Sequence, residues 1–176
     1  MKTLAEEIQL LEDRALDYEE IRTILAHRVS GLHCKFIDLE TFKNQYQLSD
    51  ILPPHINASI ILLTAPALNS RHWTCLIRHK NKYSFFDSLA LGYGKLGSML
   101  QDNGRFVGFL KSIRAEPNTT RIQKNTADIK TCSLHVICRL VKYNLTNGQY
   151  VHWLHSLRMH PDELVCLLTY IGHLSV

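Results

Sequence analysis

TCSLHVICRL, residues 131–140, is the stretch where a polar, turn-like segment gives way to an apolar helix. The apolar pattern predicts that this helix opens at Cys132 and runs to about Tyr143. A cysteine at a helix N-terminus lies at the positive end of the peptide dipole, which stabilises thiolate over thiol. The rest of the chain is therefore interpreted around one helix with a candidate reactive cysteine at its start.

Two candidate partners for that cysteine lie upstream, at the mouth of one predicted strand and at the end of the next. Trp73–Arg78 and Tyr83–Phe86 have the pattern of a hairpin whose arms are separated by a polar turn. His72 precedes the first arm, and Asp87 follows the second. A hairpin of this length returns the chain to the same edge, so we expect the imidazole and the carboxylate to meet. With Cys132 they would supply a nucleophile, a base and a group that orients the base, as cysteine-dependent acyl transfer requires.

The remaining segments predict helices around a small central sheet. Apolar residues from Leu4 to about Val29 recur at helical spacing and indicate two helices, or one with a break near Asp13. Asp38 offers an N-cap for a helix to roughly Gln47. Ala58–Leu63 is a continuous apolar run, typical of a strand buried on both faces. A short strand or extended entry is also expected at 33–37.

Further along, the three glycines Gly92, Gly94 and Gly97 predict a flexible or tightly turned loop. The other expectations are a helix through 106–113, a short strand at 119–123, a turn at Asn147-Gly148 and a last helix from near Pro161. The predicted class is α+β, with a small central mixed sheet flanked by helices. We expect one domain over residues 1–176, with a helical N-terminal third and a core at about 57–143.

The composition indicates a globular protein and argues against a disordered or fibrous one. The 176 residues are 45% hydrophobic and 20% charged, which is ordinary for a globular domain. The net charge of +4 is scattered, so a polyanion partner is permitted but not demanded. Five cysteines without paired spacing fit a reducing compartment with free thiols, and the absence of an apolar run of about 20 residues predicts no membrane span and no usual secretion route.

No metal or other cofactor is expected. Cys132, His135 and Cys138 are spaced by three and then three residues, which spreads the first and last around a helix by about 120°. A Cys-x-x-Cys pair, which would indicate a structural zinc site, does not occur in the sequence.

Several short motifs, in chain order, resemble those of the adenain and SUMO-protease group of cysteine peptidases. Viral maturation proteases of adenoviruses, virophages and polinton-like elements are the most similar in size and motif style. The resemblance is clearest over residues 57–143, about half of the chain. Its motifs are His72-Trp73, Phe86-Asp87-Ser88, Gln123 or Asn125, and Thr131-Cys132.

The resemblance implies a papain-like core in circularly rearranged order, His before Asp before Cys, that cuts after a small residue such as glycine. It implies that Trp73 forms the wall or lid of a narrow substrate channel. It also implies a side-chain amide in the oxyanion hole, supplied by Gln123 across a loop two residues longer than the family's, or by Asn125. The family usually has glycine directly after the nucleophile, where this chain has Ser133.

The expected function is therefore a monomeric cysteine endopeptidase that cleaves viral capsid or other structural precursors during virion maturation, in the virion or the infected host cell. The adenovirus enzymes that this chain resembles use DNA and a peptide as activators, and the mild basic charge permits a DNA activator here. Two alternative functions are left open. One is a non-catalytic, peptidase-like module that binds a capsid protein, nucleic acid or ubiquitin-like tail. The other is a deconjugating protease for a ubiquitin-like modifier.

Overall fold

A five-stranded mixed sheet with helices on both faces organises the chain, as the α+β prediction requires. The structure is a computed structural model and describes residues 3–42, 45–65, 70–126 and 129–174. The helices are α1 Leu4–Asp13, α2 Tyr18–Arg28, α3 Leu48–Ile51, α4 Gly92–Leu100, α5 Arg105–Ser112, α6 Cys132–Val141, α7 Asn147–Ser156 and α8 Pro161–Leu174. The strands are β1 Cys34–Asp38, β2 Ala58–Ala65, β3 Ser70–His79, β4 Lys82–Phe86 and β5 Glu116–Pro117.

The strands lie in chain order, β1 to β5. The outer pairs β1–β2 and β4–β5 are parallel, and the inner pairs β2–β3 and β3–β4 are antiparallel. The hairpin of β3 and β4 pairs Cys75 with Phe86. This register places Asp87, one residue beyond β4, at the end of the sheet where β3 carries His72.

Two hydrophobic cores lie on opposite faces of the sheet, and the strands alternate between them. Along β2, Ile60 and Leu62 join one core, whereas Ile61 and Leu63 join the other. Both sets are buried, which confirms the prediction of a strand covered on both faces. Helices α2, α6, α7 and α8 cover the first face, and α4 and α5 cover the second.

The N-terminal third forms two helices, in agreement with the first of the two alternatives. Each begins with a capping box, in which Thr3 pairs with Glu6 and Asp17 pairs with Glu20. Residues 14–17 between the helices form an extended linker, because Asp17 caps α2 rather than continuing α1.

Two predictions, one of a helix and one of a loop, were wrong. Asp38 does accept a hydrogen bond from the Glu40 N–H, but it caps only a 3₁₀ turn, Leu39–Thr41, and residues 45–47 are not helical. Residues 43 and 44 of the predicted helix lie outside the described residues. The glycine-rich segment is helix α4 rather than a loop, because burial of Leu96 and Leu100 outweighs the poor helix propensity of glycine.

The predictions for 119–123 and for Asn147-Gly148 were also wrong. The strand at this place is the two-residue β5, and residues 119–123 are irregular. Asn147-Gly148 begins helix α7, because the preceding Thr146 accepts a hydrogen bond from the Gln149 N–H and forms a capping box.

Helix α6 is buried at every position from Cys132 to Leu140. Its one fully buried cation, Arg139, bonds the Asn147 side chain and the carbonyls of Lys142 and Leu145. Asn147 also donates to the Phe85 carbonyl, so this network ties α6 and α7 to the sheet. None of the helices in the described part of the chain could span a membrane.

Replacement of Asn147 by alanine should lower the free energy of unfolding by about 2–4 kcal/mol, because it leaves the buried Arg139 Nε–H without its acceptor and removes the bonds to the Phe85 and Glu116 carbonyls. Urea denaturation would measure this loss. The control is Asn144→Ala, three residues away and exposed. Equal stability of the two variants would show that the network does not hold α6 in place.

Candidate active site

Cys132 is the first residue of α6, and the thiol lies at the end of the sheet beside β3. It is 6% exposed. The backbone N–H groups of Trp73 and Ser133 donate hydrogen bonds to it, and the His72 side chain forms a further one. The predicted cysteine and histidine are therefore in direct contact.

His72 lies within β3, as its third residue rather than before it, and its ring joins the other two members of the predicted set. Nε2 is 2.7 Å from Asp87 Oδ1. With Nε2 on the carboxylate, Nδ1 is the nitrogen left to face the Cys132 thiol. Burial is the largest influence on the pKa of His72 and acts to lower it, but the hydrogen bonds to Asp87 and Cys132 raise the pKa to about 10.

Hydrogen bonds fix both the carboxylate and the backbone of Asp87. Its Oδ1 accepts from the Leu89 N–H and its Oδ2 from the Leu91 N–H, each at 2.9 Å. The Asn118 side chain bonds both the N–H and the carbonyl of the Asp87 backbone, at 2.8 and 2.7 Å. Burial acts to raise the pKa of Asp87, but the bond to His72 and these N–H donors hold it below its usual range. The carboxylate is thus ionised and fixed toward the ring.

The five thiols differ in electrostatic surroundings. Burial alone would raise the pKa of Cys132, yet the His72 hydrogen bond and charge, with the N–H groups of Trp73 and Ser133, lower it. Burial raises the pKa of Cys34, Cys75 and Cys138 to about 12, and it also raises that of Cys166. These surroundings favour the thiolate form of Cys132 and the imidazolium form of His72.

Of the two candidate amides, Gln123 is fixed by the fold and Asn125 is exposed. The Ser88 hydroxyl donates to Gln123 Oε1 at 2.6 Å, and the Gln123 N–H donates to the Ser88 carbonyl at 3.1 Å. Gln123 Nε2 donates a long hydrogen bond, 3.5 Å, to the Ile129 carbonyl. Gln123 is therefore anchored beside Asp87-Ser88, with its amide nitrogen held by a single weak bond.

Ser133, which stands where the resembling family has glycine, has a structural role of its own. It lies in the first turn of α6 with helical backbone, where glycine's conformational freedom is not required. Its hydroxyl accepts a buried hydrogen bond from the Leu16 N–H at 3.4 Å. The Leu16 carbonyl in turn accepts from the Trp73 indole N–H at 3.3 Å. Ser133 and Trp73 together fasten the α1–α2 linker beside the thiol.

A cleft of about 590 Å³ opens over Cys132. The linker forms one wall, and the sheet residues Phe36, Leu62 and Trp73 contribute apolar surface. Arg71 and Asp38, paired at 2.9 Å, lie at its rim. The cleft is concave, mostly apolar and adjacent to Cys132, features that ligand-binding sites share.

Sequence reasoning did not find three groups that shape the site: Leu16, Asn118 and Asp162. The two bonds of Asn118 to the Asp87 backbone depend on the position of β5, which the sequence pattern does not give. The Pro161-Asp162 pair marks a helix start, but its sequence position does not reveal which segment Asp162 contacts. Within the described residues, no cluster of three or more His, Cys, Asp or Glu side chains is arranged to hold a metal ion.

Comparisons with known proteins add no assignment to this geometry. The chain matches none of the models of known protein families, and a search of curated proteins finds no significant relative. The residues of the site are therefore the only basis for inferring its chemistry.

The Cys132 thiol should react selectively with limiting iodoacetamide near pH 6. A thiol with an ordinary pKa of about 8.5 is only about 0.3% ionised there, whereas a lowered pKa keeps thiolate present at lower pH. Mass spectrometry would locate the label among the five cysteines and follow its rate from pH 5 to 9.

A His72→Ala variant should move the alkylation profile of Cys132 toward higher pH, because the imidazolium that stabilises the thiolate is gone. His79→Ala, at the other end of β3, is the matched control and should leave the profile unchanged. Labelling of Cys132 no faster than that of Cys34 in the unaltered protein would contradict the thiolate assignment.

Ser133→Ala should accelerate hydrogen exchange of the Leu16 amide about fivefold, because this N–H loses a buried acceptor that contributes about 1 kcal/mol. Exchange followed by NMR measures the effect. Ser112→Ala, which removes a serine hydroxyl bonded to the Phe109 carbonyl in α5, should leave Leu16 unaffected. Unchanged exchange at Leu16 in Ser133→Ala would mean that the linker is held by other contacts.

Proposed function

We propose that this chain is a cysteine endopeptidase with a papain-like core of the adenain type. One observation carries the proposal: a single buried imidazole, that of His72, is hydrogen-bonded to both the Asp87 carboxylate and the Cys132 thiol. Binding alone needs no such arrangement. The direction of the pKa shifts, down for Cys132 and up for His72, is what a nucleophile and its proton carrier require.

The reaction follows from these positions. The Cys132 thiolate attacks the scissile carbonyl carbon, and the carbonyl π electrons move to oxygen to give a tetrahedral oxyanion. The His72 imidazolium then donates its proton to the amide nitrogen as the C–N bond breaks, and the amine leaves. A thioester on Cys132 remains.

Water completes the cycle. His72, now neutral, takes a proton from water as the hydroxyl oxygen attacks the thioester carbonyl, and the C–S bond breaks to release the acid and regenerate the thiolate. Asp87 stays hydrogen-bonded to His72 Nε2 throughout. This bond keeps the ring oriented toward the thiol and selects the neutral tautomer with its proton on Nε2.

The oxyanion needs donors fixed before the reaction. The Cys132 backbone N–H, at the start of α6, and the Gln123 side-chain amide are the groups we assign to this role. Gln123 is favoured over Asn125 because it is buried and anchored. Its Nε2 is held by one weak bond, so that it can turn to a new acceptor.

The substrate class rests on the sequence resemblance. We propose protein precursors of a virion, cut after a small residue such as glycine, with the peptide lying in the cleft beside Trp73. Serine in place of the family's glycine after the nucleophile favours a non-catalytic module, but the bond of Ser133 to Leu16 gives it a role compatible with catalysis. A deconjugating protease would use the same residues on a Gly-Gly tail, and substrate, not chemistry, distinguishes the two.

The protein should cleave peptides in a library prepared by digesting a whole proteome, and mass spectrometry of the new termini should place small residues before the cut. Cys132→Ala should abolish cleavage, because no other thiol in the chain contacts His72. Cys138→Ala is the matched control, because it removes a buried thiol six residues further along the same helix. This variant should retain cleavage.

Three results would count against the proposal. Cleavage that persists in Cys132→Ala would assign it to another group or a contaminant. Absence of cleavage in the unaltered protein, together with an unreactive Cys132, would favour the binding module. Cleavage confined to isopeptide or Gly-Gly tails would identify the deconjugating alternative.

A further inference from the structure

Asp162, the second residue of α8, is a completely buried carboxylate with both oxygens bonded. Its Oδ1 accepts a short hydrogen bond from the Thr131 hydroxyl and lies 2.9 Å from His135 Nε2. Its Oδ2 accepts from the Lys124 N–H at 2.9 Å. Burial acts to raise the pKa of Asp162, but these donors lower it, so the group is ionised.

Three partners of this carboxylate adjoin the site, and the fourth, His160, lies 3.5 Å from Oδ2 in the turn before α8. Thr131 immediately precedes Cys132, His135 lies one turn further along α6, and Lys124 immediately follows Gln123. The same carboxylate therefore bonds both ends of the loop from Lys124 to Thr131, which is the loop that separates the proposed amide from the nucleophile.

His135 is committed to this contact as a neutral donor. It is fully buried, and burial, the largest influence, holds its pKa below the usual range despite the hydrogen bond to Asp162. Its Nδ1 has no hydrogen-bond partner among the described residues, which fits a tautomer with its proton on Nε2. Thr131, although it is the N-cap residue of α6, gives its hydroxyl to Asp162 instead of capping the helix.

A buried ionised carboxylate is a poor device for stability alone, since apolar side chains of similar volume commonly stabilise a core as well or better. What it supplies here is geometry. A loop of eight residues leaves its ends free to shift relative to each other unless a contact joins them, and displacement of a catalytic group by about 1 Å can cost about 10²-fold in rate.

We propose that Asp162 is a positioning residue that holds the start of α6 and the Gln123 end of the loop in one fixed relation, so that the Cys132 N–H and the Gln123 amide meet at the same substrate oxygen. Asp162 touches neither substrate nor thiol. This inference rests on the proposed function, and it concerns the oxyanion rather than the nucleophile.

Two reagents separate these roles at Cys132. Acylation by p-nitrophenyl acetate passes through a tetrahedral oxyanion, whereas alkylation by iodoacetamide displaces iodide at a saturated carbon and forms none. Both rates at Cys132 are measured by mass spectrometry on the full chain, and the ratio of acylation to alkylation reports the oxyanion donors alone.

Asp162→Asn should lower that ratio about tenfold with alkylation changed less than about twofold. The amide offers one acceptor oxygen where the carboxylate has two, so it cannot accept at both ends of the loop. Loss of an entire oxyanion donor costs about 10²–10³, and displacement of the donors should cost less. Asn147→Ala is the control for lost stability: it removes a buried polar network away from the thiol and should leave the ratio unchanged.

If Asp162→Asn does not fold, Thr131→Val decides the matter, because it removes the bond at the start of α6 and leaves those of His135 and Lys124. It should lower the ratio about threefold, and Thr131→Ser, which keeps the hydroxyl, should restore it. An unchanged ratio in a folded Asp162→Asn or, failing that, in Thr131→Val overturns the proposal while the proposed function stands. An unreactive Cys132 in the unaltered protein overturns both.

Discussion

The placement of one carboxylate, that of Asp87, is the constraint on which the rest of the site depends. A carboxylate one residue beyond a strand would turn toward water unless its backbone and its oxygens were both held. Here Asn118 holds the backbone and the N–H groups of Leu89 and Leu91 hold the oxygens. The imidazole then has one orientation with a good partner, and that orientation presents its other nitrogen to Cys132.

The sheet supplies this placement through its register. Pairing of Cys75 with Phe86 fixes where β4 ends, and a slip of one residue would turn Asp87 to the other face and move Phe85 and Phe86 into the opposite cores. The two cores therefore constrain the alignment of the site, since β2 and the middle of β3 are buried on both faces. Helix α6, buried at every turn, is held equally firmly on the opposite side of the thiol.

The sequence allowed prediction of the α+β class, the β3–β4 hairpin and the helix that begins at Cys132, because burial on both faces and helical periodicity leave strong local patterns. It also brought together His72 and Asp87, whose meeting follows from hairpin length, and it singled out Cys132 by its place at the start of a helix. It failed at Gly92–Leu100 and at Asn147-Gly148, where buried leucines in one case and a capping box in the other outweighed the turn preference of glycine. Asn118 and Asp162 could not be predicted, since each acts on a residue more than thirty positions away.

The position of the α1–α2 linker determines when the cleft can form during synthesis. Leu16 lines the cleft, but α1 packs against α8, the last helix described, so the cleft wall depends on elements from the two ends of the described chain. On a ribosome, His72 and Asp87 emerge long before α8 does. A nascent chain can thus complete its hairpin without a finished cleft, and the α1–α2 wall of the cleft gains its α8 contacts only after the last helix has been synthesised.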